Sequence, residues 1–166
     1  YNESMYSDTH FHLGYIIERS SADEAAKVLE AMAESNVYFG MDIGTKSTDL
    51  LARYCAIQEC ISMLNEAARK RVKGFLHFSA GIWPDPNAIR QRKESIEELK
   101  CEIKKFKELG QKVTAIGEGG LDHHWNPSGP DGRKEEDFDS ELFKGEKELF
   151  LMQLELAKEE DLPFIV

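Results

Sequence analysis

Histidine is scarce in this chain, five residues in all, yet two of the five stand two apart behind an aspartate in the run SDTHFHLG at 7–14. On an extended strand, residues two apart point to the same face, so Asp8, His10 and His12 form a column with about 7 Å between neighbours. Two imidazoles on one side can share a divalent metal ion, and Asp8 is placed to orient one of them by accepting its second N–H, although a plain strand-end hydrogen bond would serve it as well. An isolated H-x-H is a weak sign, because most such pairs are ordinary polar residues. A second feature strengthens it. In AIGEGGLD, 115–122, Glu118 follows an apolar strand and precedes a flexible Gly-Gly. Its bland reading is a surface Glu in a tight turn. If the strands run parallel, however, a carboxylate at that strand end faces the same rim as the histidines and supplies a third ligand. Three protein ligands leave open coordination positions, the arrangement of a catalytic rather than a structural metal.

Elements capable of positioning these residues follow in alternation. Ser21-Ala-Asp-Glu24 forms a capping box before a helical face of Ala25, Val28, Leu29, Met32 and Ala33. VYFGMDIGT at 37–45 reads as a strand and leads into a helix carrying Leu50, Tyr54, Ile57, Ile61, Leu64 and Ala68. VKGFLHFSAGIWP at 72–84 and a helix with Ile96, Leu99, Ile103 and Phe106, stopped by Gly110, repeat the unit. VTAIGEGG at 113–120 and the helix around GEKELFLMQLELAKEE repeat it again, and PFIV is a fifth strand. Five strands and four helices in strict alternation predict a parallel α/β sheet with crossover helices, in which active sites gather at the C-terminal ends of the strands. The count alone also fits a small doubly wound sheet. No internal repeat or linker divides the chain. The irregular stretch at 123–145, rich in Gly, Pro and acids, has the length of a functional or disordered loop.

Bulk properties narrow the classes. With 166 residues, 41% of them hydrophobic, there is material for one domain with a real core. A net charge of −10 argues against a binder that grips nucleic acid through a broad basic surface, so any such contact must be local. No apolar run reaches the roughly 18 residues of a membrane helix, and the polar start YNESMYS is unlike a secretion signal, so a cytoplasmic protein is expected. Cys55, Cys60 and Cys101, odd in number and within helical patterns, read as reduced packing residues.

Other polar residues carry less. His77, inside FLHFS, reads as a satisfied interior histidine. Asp122 ends GGLD and is counted with Asp8 as an outer-sphere carboxylate. His123 and His124 follow it near the presumed mouth, where at most one can touch substrate because adjacent side chains of an extended chain point apart. Trp125 is weighed between stacking on a base and packing under the loop, and the acid-rich 131–141 segment reads as solvated.

Taken together, SDTHFHL, the AIGEGGLD strand end and the closing run ELFLMQLELAKEEDLPFIV resemble the TatD-type metal-dependent deoxyribonucleases, a branch of the amidohydrolase-like TIM barrels, along essentially the whole chain. The resemblance implies a TIM (β/α)8 barrel, of which residues 1–166 are the N-terminal part of a single hydrolase domain, since a full barrel takes about 250 residues. It implies that His10 and His12 bind one divalent ion and that Glu118 bridges it to a second and serves the chemistry. Mg2+ is the ion the likeness suggests, with Mn2+ and Zn2+ as the other options. In that family a histidine ligand directly follows the strand read here as PFIV, and a further His and an Asp come from later strands. This chain stops at Val166, so it is expected to belong to a longer protein. It also departs from the family pattern at Gly14, where an acidic or amide residue is common, and at Trp83 and Asp85, where histidines are usual. The implied reaction is hydrolysis of phosphodiester bonds in DNA, exonucleolytic on single strands, by a metal-activated water. Two other readings remain open, a hydrolase of a small amide, ester or phosphoester and a non-catalytic scaffold of the same fold.

Overall fold

The computed structural model describes residues 5–121 and 140–166. Four strands, β1 (Tyr6–Phe11), β2 (Val37–Asp42), β3 (Leu76–Ala80) and β4 (Ala115–Ile116), lie side by side in chain order, every neighbouring pair parallel. That order decides between the two sheets the sequence allowed. A doubly wound sheet reverses its order and places crossovers on both faces, whereas an unreversed order keeps them on one. The result is a curled half-barrel of the α/β class.

Strand alternation assigns the faces. Phe78, Ala80 and Ile116 point outward into the large core shared with the helices, together with Leu29, Ile57, Leu99 and Phe106, all buried. Met41, Ile43 and Ala115 form a second, small cluster on the concave side, with Phe39 and Ile165 against it. In β1, Phe11 packs with the outer core, so its neighbours His10 and His12 turn to the concave face. The β1–β2 register slips between Asp8 and Phe11.

Among the described residues there are seven helices rather than the expected four. They are α1 (Leu13–Arg19), α2 (Ala22–Glu34), α3 (Leu50–Met63), α4 (Glu66–Phe75), α5 (Pro86–Arg90), α6 (Arg92–Glu108) and α7 (Ser140–Glu159). The periodicity read as one helix from Leu50 to Ala68 breaks after Leu64, because the Asn65 side chain accepts from Ala68 N at 2.9 Å and starts α4 anew. Val72–Phe75, expected in the third strand, is the end of α4. Ser21 caps α2 by accepting from Glu24 N, while the Glu24 carboxylate turns to Lys27 rather than back, so only half of the expected box forms. Val28 is exposed and Ala26 takes its place in the core. Cys60 is buried, but Cys55 and Cys101 are exposed free thiols, not packing residues. Ser140–Gly145, expected to be irregular, is the first part of α7. PFIV makes a single parallel bridge, Phe164 to Ile116, flanked by hydrogen bonds from Ile116 N to Pro163 O and from Ile165 N to Ile116 O.

Candidate metal centre

His12 lies where β1 turns into α1, as the residue capping the helix start, and its side chain makes no capping bond. The first helical N–H, that of Leu13, is instead held by the Asp42 carboxylate at 2.8 Å, which leaves the His12 ring for the concave face. Its Nδ1 sits 3.2 Å from the carbonyl of Ile43. A carbonyl can only accept, so Nδ1 carries a proton, and in the neutral ring Nε2 presents its lone pair to the site.

Glu118 reaches the same place from the end of β4. Its N–H donates to Gly44 O at 3.0 Å, and the preceding Gly117 donates to Ala80 O at 2.8 Å and accepts from the Ser79 hydroxyl at 2.6 Å. The backbones crowd here. A Cβ on Gly81 would lie 2.2 Å from the Gly117 carbonyl carbon, and one on Gly119 would lie 2.9 Å from Gln153 Nε2. The Gly117 to Gly119 stretch is therefore set by close packing, not by flexibility. Gln153, buried on α7, clasps Ile82 from the other side, accepting from its N–H at 2.8 Å and donating to its carbonyl at 3.0 Å.

The outcome is convergence. Glu118 Oε2 lies 3.0 Å from His10 Nε2 and 3.5 Å from His12 Nε2, and one ligand atom from each of the three residues falls within 4.8 Å of the others. The two imidazole rings meet edge to face at 5.2 Å. His12 has its pKa raised, chiefly by the hydrogen bond to Glu118 and next opposed by burial, while Glu118 has its own lowered, chiefly by His12, with burial opposing. Two imidazoles with one carboxylate suit Mn2+, Zn2+ or Mg2+.

Other expected residues fall differently. The Asp8 carboxylate accepts from the backbone N–H of His10 at 3.1 Å, and the second N–H of His12 goes to Ile43 O rather than to Asp8. His77 stacks on Phe39 at 4.6 Å with Thr114 near its Nδ1, and burial lowers its pKa. Asp122, His123, His124 and Trp125 lie outside the described residues.

Beside these three side chains opens a cleft of about 590 Å³, lined by His12, Glu118, Tyr15, Arg19, Thr45, Lys46, Trp83 and Asp85. Trp83 and Asp85, the departures from the family pattern, thus stand at the site, although the Asp85 carboxylate also caps α5 through Asn87 N and Ala88 N. Tyr15 lies 5.1 Å from the His12 ring, and the Arg19 guanidinium stands 5.2 Å over the tyrosine. Arg19 and Lys46 bring positive charge to the mouth of an acidic chain. Sequence reasoning missed Tyr15, Arg19 and Lys46, and it missed the buried Asp42, Arg53 and Ser79 behind the ligands. Only the one-turn spacing of Tyr15 and Arg19 in HLGYIIER could have signalled the first two.

Parallel strands in unreversed order, with imidazoles and a carboxylate gathered at their C-terminal ends, define a barrel-type α/β protein with a candidate metal site. Comparison with known proteins places it further: the family model described as TatD related DNase matches residues 7–166, and the chain belongs to that family. It is similar to a protein of Bacillus subtilis (strain 168) named as an uncharacterized metal-dependent hydrolase, YabD, with 29% identity over 173 residues. That match covers 98% of this chain and 50% of the relative, so the chain spans about half the length of the curated relative it matches. No helix among the described residues is long and apolar enough to cross a membrane.

Proposed function

We propose that the chain is the N-terminal part of a (β/α)8 barrel hydrolase that cleaves phosphodiester bonds in DNA with divalent ions, Mg2+ in the first instance. His10 and His12 hold one ion and Glu118 joins it to a second. The observation that carries this reading is the meeting of three ligand atoms within 4.8 Å at the C-terminal rim of the strands. Family membership and the metal-dependent hydrolase among its relatives support it. When bound, the cations supply an activated water and offset the charge of the phosphoryl oxygens.

The chain's own residues do the rest. Ile43 O fixes the His12 tautomer, so the ring offers Nε2 without rearrangement. Glu118, with its pKa already low, is ionised across the neutral range and need not lose a proton to bind cations. Arg19 and Lys46 at the cleft mouth attract a phosphate chain that the overall charge of −10 repels, which confines contact to the site.

The test uses the natural full-length protein, stripped of metal and given labelled single-stranded DNA with Mg2+, Mn2+ or Zn2+. Metal-dependent nucleotide release, abolished by Glu118→Ala with the fold retained, is the expected result. Turnover confined to small esters would replace DNA by a small-molecule substrate, and absence of both metal binding and turnover would leave a non-catalytic scaffold.

A further inference from the structure

Behind the candidate ligands lies a charged group that the reading above does not use. Arg53, on α3, is nine-tenths buried and Asp42, at the end of β2, wholly so. Arg53 Nη1 donates to the Asp42 carboxylate, and Nη2 donates to Ser79 O at 2.7 Å. Its Nε faces Asp49 Oδ1 at 3.1 Å. Gly44 makes the room, since a Cβ there would lie 2.7 Å from Nη2.

The Asp42 and Ser79 branches of this network end one residue from candidate ligands, while Asp49 accepts from the N–H groups of Thr45 and Lys46. Asp42 holds the N–H of Leu13, which follows His12. Ile43, whose carbonyl fixes the His12 tautomer, follows Asp42. Ser79 accepts from Gly44 N at 3.0 Å and donates to the carbonyl of Gly117, which precedes Glu118. The four strand ends that carry or flank the ligands are thus tied to one guanidinium.

Stability alone is a poor reason for the arrangement, because desolvating such a pair offsets much of its attraction, and apolar replacements of buried ion pairs are often neutral. A planar fork that fixes two acceptors at once does have a geometric use, which a lysine cannot reproduce.

We propose that Arg53 is a positioning residue for the metal centre, acting through Asp42 and Ser79 to hold His12 and Glu118 at ligand distance. The proposal rests on the metal reading above. Its test measures Mn2+ affinity by calorimetry, and the His12 ring tautomer of the metal-free protein by long-range 1H–15N NMR, in wild type, Arg53→Met and Arg53→Lys. Arg53→Met should weaken Mn2+ binding tenfold or more, the range seen when outer-sphere partners of metal ligands are removed, and should disturb the Nδ1–H signal of His12. Arg53→Lys should recover little of either. A purely structural role would lower the melting temperature while leaving the affinity and the His12 signal of the folded protein at wild-type values, and that result overturns the proposal. If Arg53→Met fails to fold, Arg53→Lys, which keeps the buried positive charge but loses the fork to Asp42 and Ser79 O, decides by the same two readouts. If wild type itself takes up no Mn2+, the metal reading fails, and the His12 tautomer alone decides whether Arg53 positions the ring.

Discussion

Exchanging Glu118 for Gln keeps the shape of the side chain and removes its charge, which separates the two roles the carboxylate plays. Without metal, Glu118 accepts from His10 at 3.0 Å and lies 3.5 Å from His12. A charge-assisted bond contributes about 1.5–3 kcal/mol when buried, but the His10 side chain is 42% exposed and Glu118 24%, so screening reduces this to roughly 1 kcal/mol. For a domain of this size that is about 2–4 °C in melting temperature. With a divalent ion at a hundred times its dissociation constant, wild type gains about 2.7 kcal/mol by mass action, or about 5–11 °C. Loss of a direct ligand weakens affinity by at least the 10–100-fold expected of an outer-sphere change. At the same metal concentration, Glu118→Gln then gains only about 0.4–1.4 kcal/mol, at most about half the wild-type shift. Thermal unfolding of both proteins, with and without Mn2+, reads all four numbers. Equal metal-induced shifts in wild type and variant would refute the placement of Glu118 among the ligands, whatever its effect on turnover.

Two further outcomes follow from the same geometry. In the metal-free protein, the folded pKa of His12 is raised above 6.5, so its pairing stabilises fully below 6.5 and is lost as pH rises through the folded value. The folded pKa of Glu118 is lowered beneath 4.5, so its part is present above 4.5 and lost as pH falls through the folded value. The stability difference between wild type and Glu118→Gln should therefore peak between about pH 4.5 and 6.5, and a difference that keeps growing above pH 8 would contradict the pairing; using the difference cancels the opposing effect of half-buried His77. Gly81→Ala should destabilise by about 1–3 kcal/mol, because its Cβ meets the Gly117 backbone at 2.2 Å and must displace the strand end that carries Glu118. Gly74→Ala in α4, with nothing within 4 Å, should instead stabilise by about 0.5–1 kcal/mol, and calorimetric unfolding of the two variants checks the contrast.

What could be read from the sequence was what neighbouring residues dictate. His10 and His12 share a face because the strand repeat is two, and Glu118 stands at a strand end because the apolar run stops there. The capping role of Asn65 was hidden by apolar periodicity that continues from α3 into α4, as if the helix were unbroken. The short α1 was hidden because His12, a poor capping residue by type, begins it with the Asp42 carboxylate standing in for a local cap. That substitution comes from 29 positions along the chain. Contacts between distant segments likewise hid Asp42, Arg53 and Ser79. Nothing local marks Asp42, Arg53 or Ser79 as part of a site, and it is the parallel register that sets Asp42 opposite both Phe11 and Phe78. The types of the candidate ligands are a local property of the chain, whereas their convergence depends on contacts between distant segments, such as Arg53 with Ser79 and Ser79 with Gly117, 26 and 38 residues apart, and the residues that make those contacts carry no periodicity that would mark them.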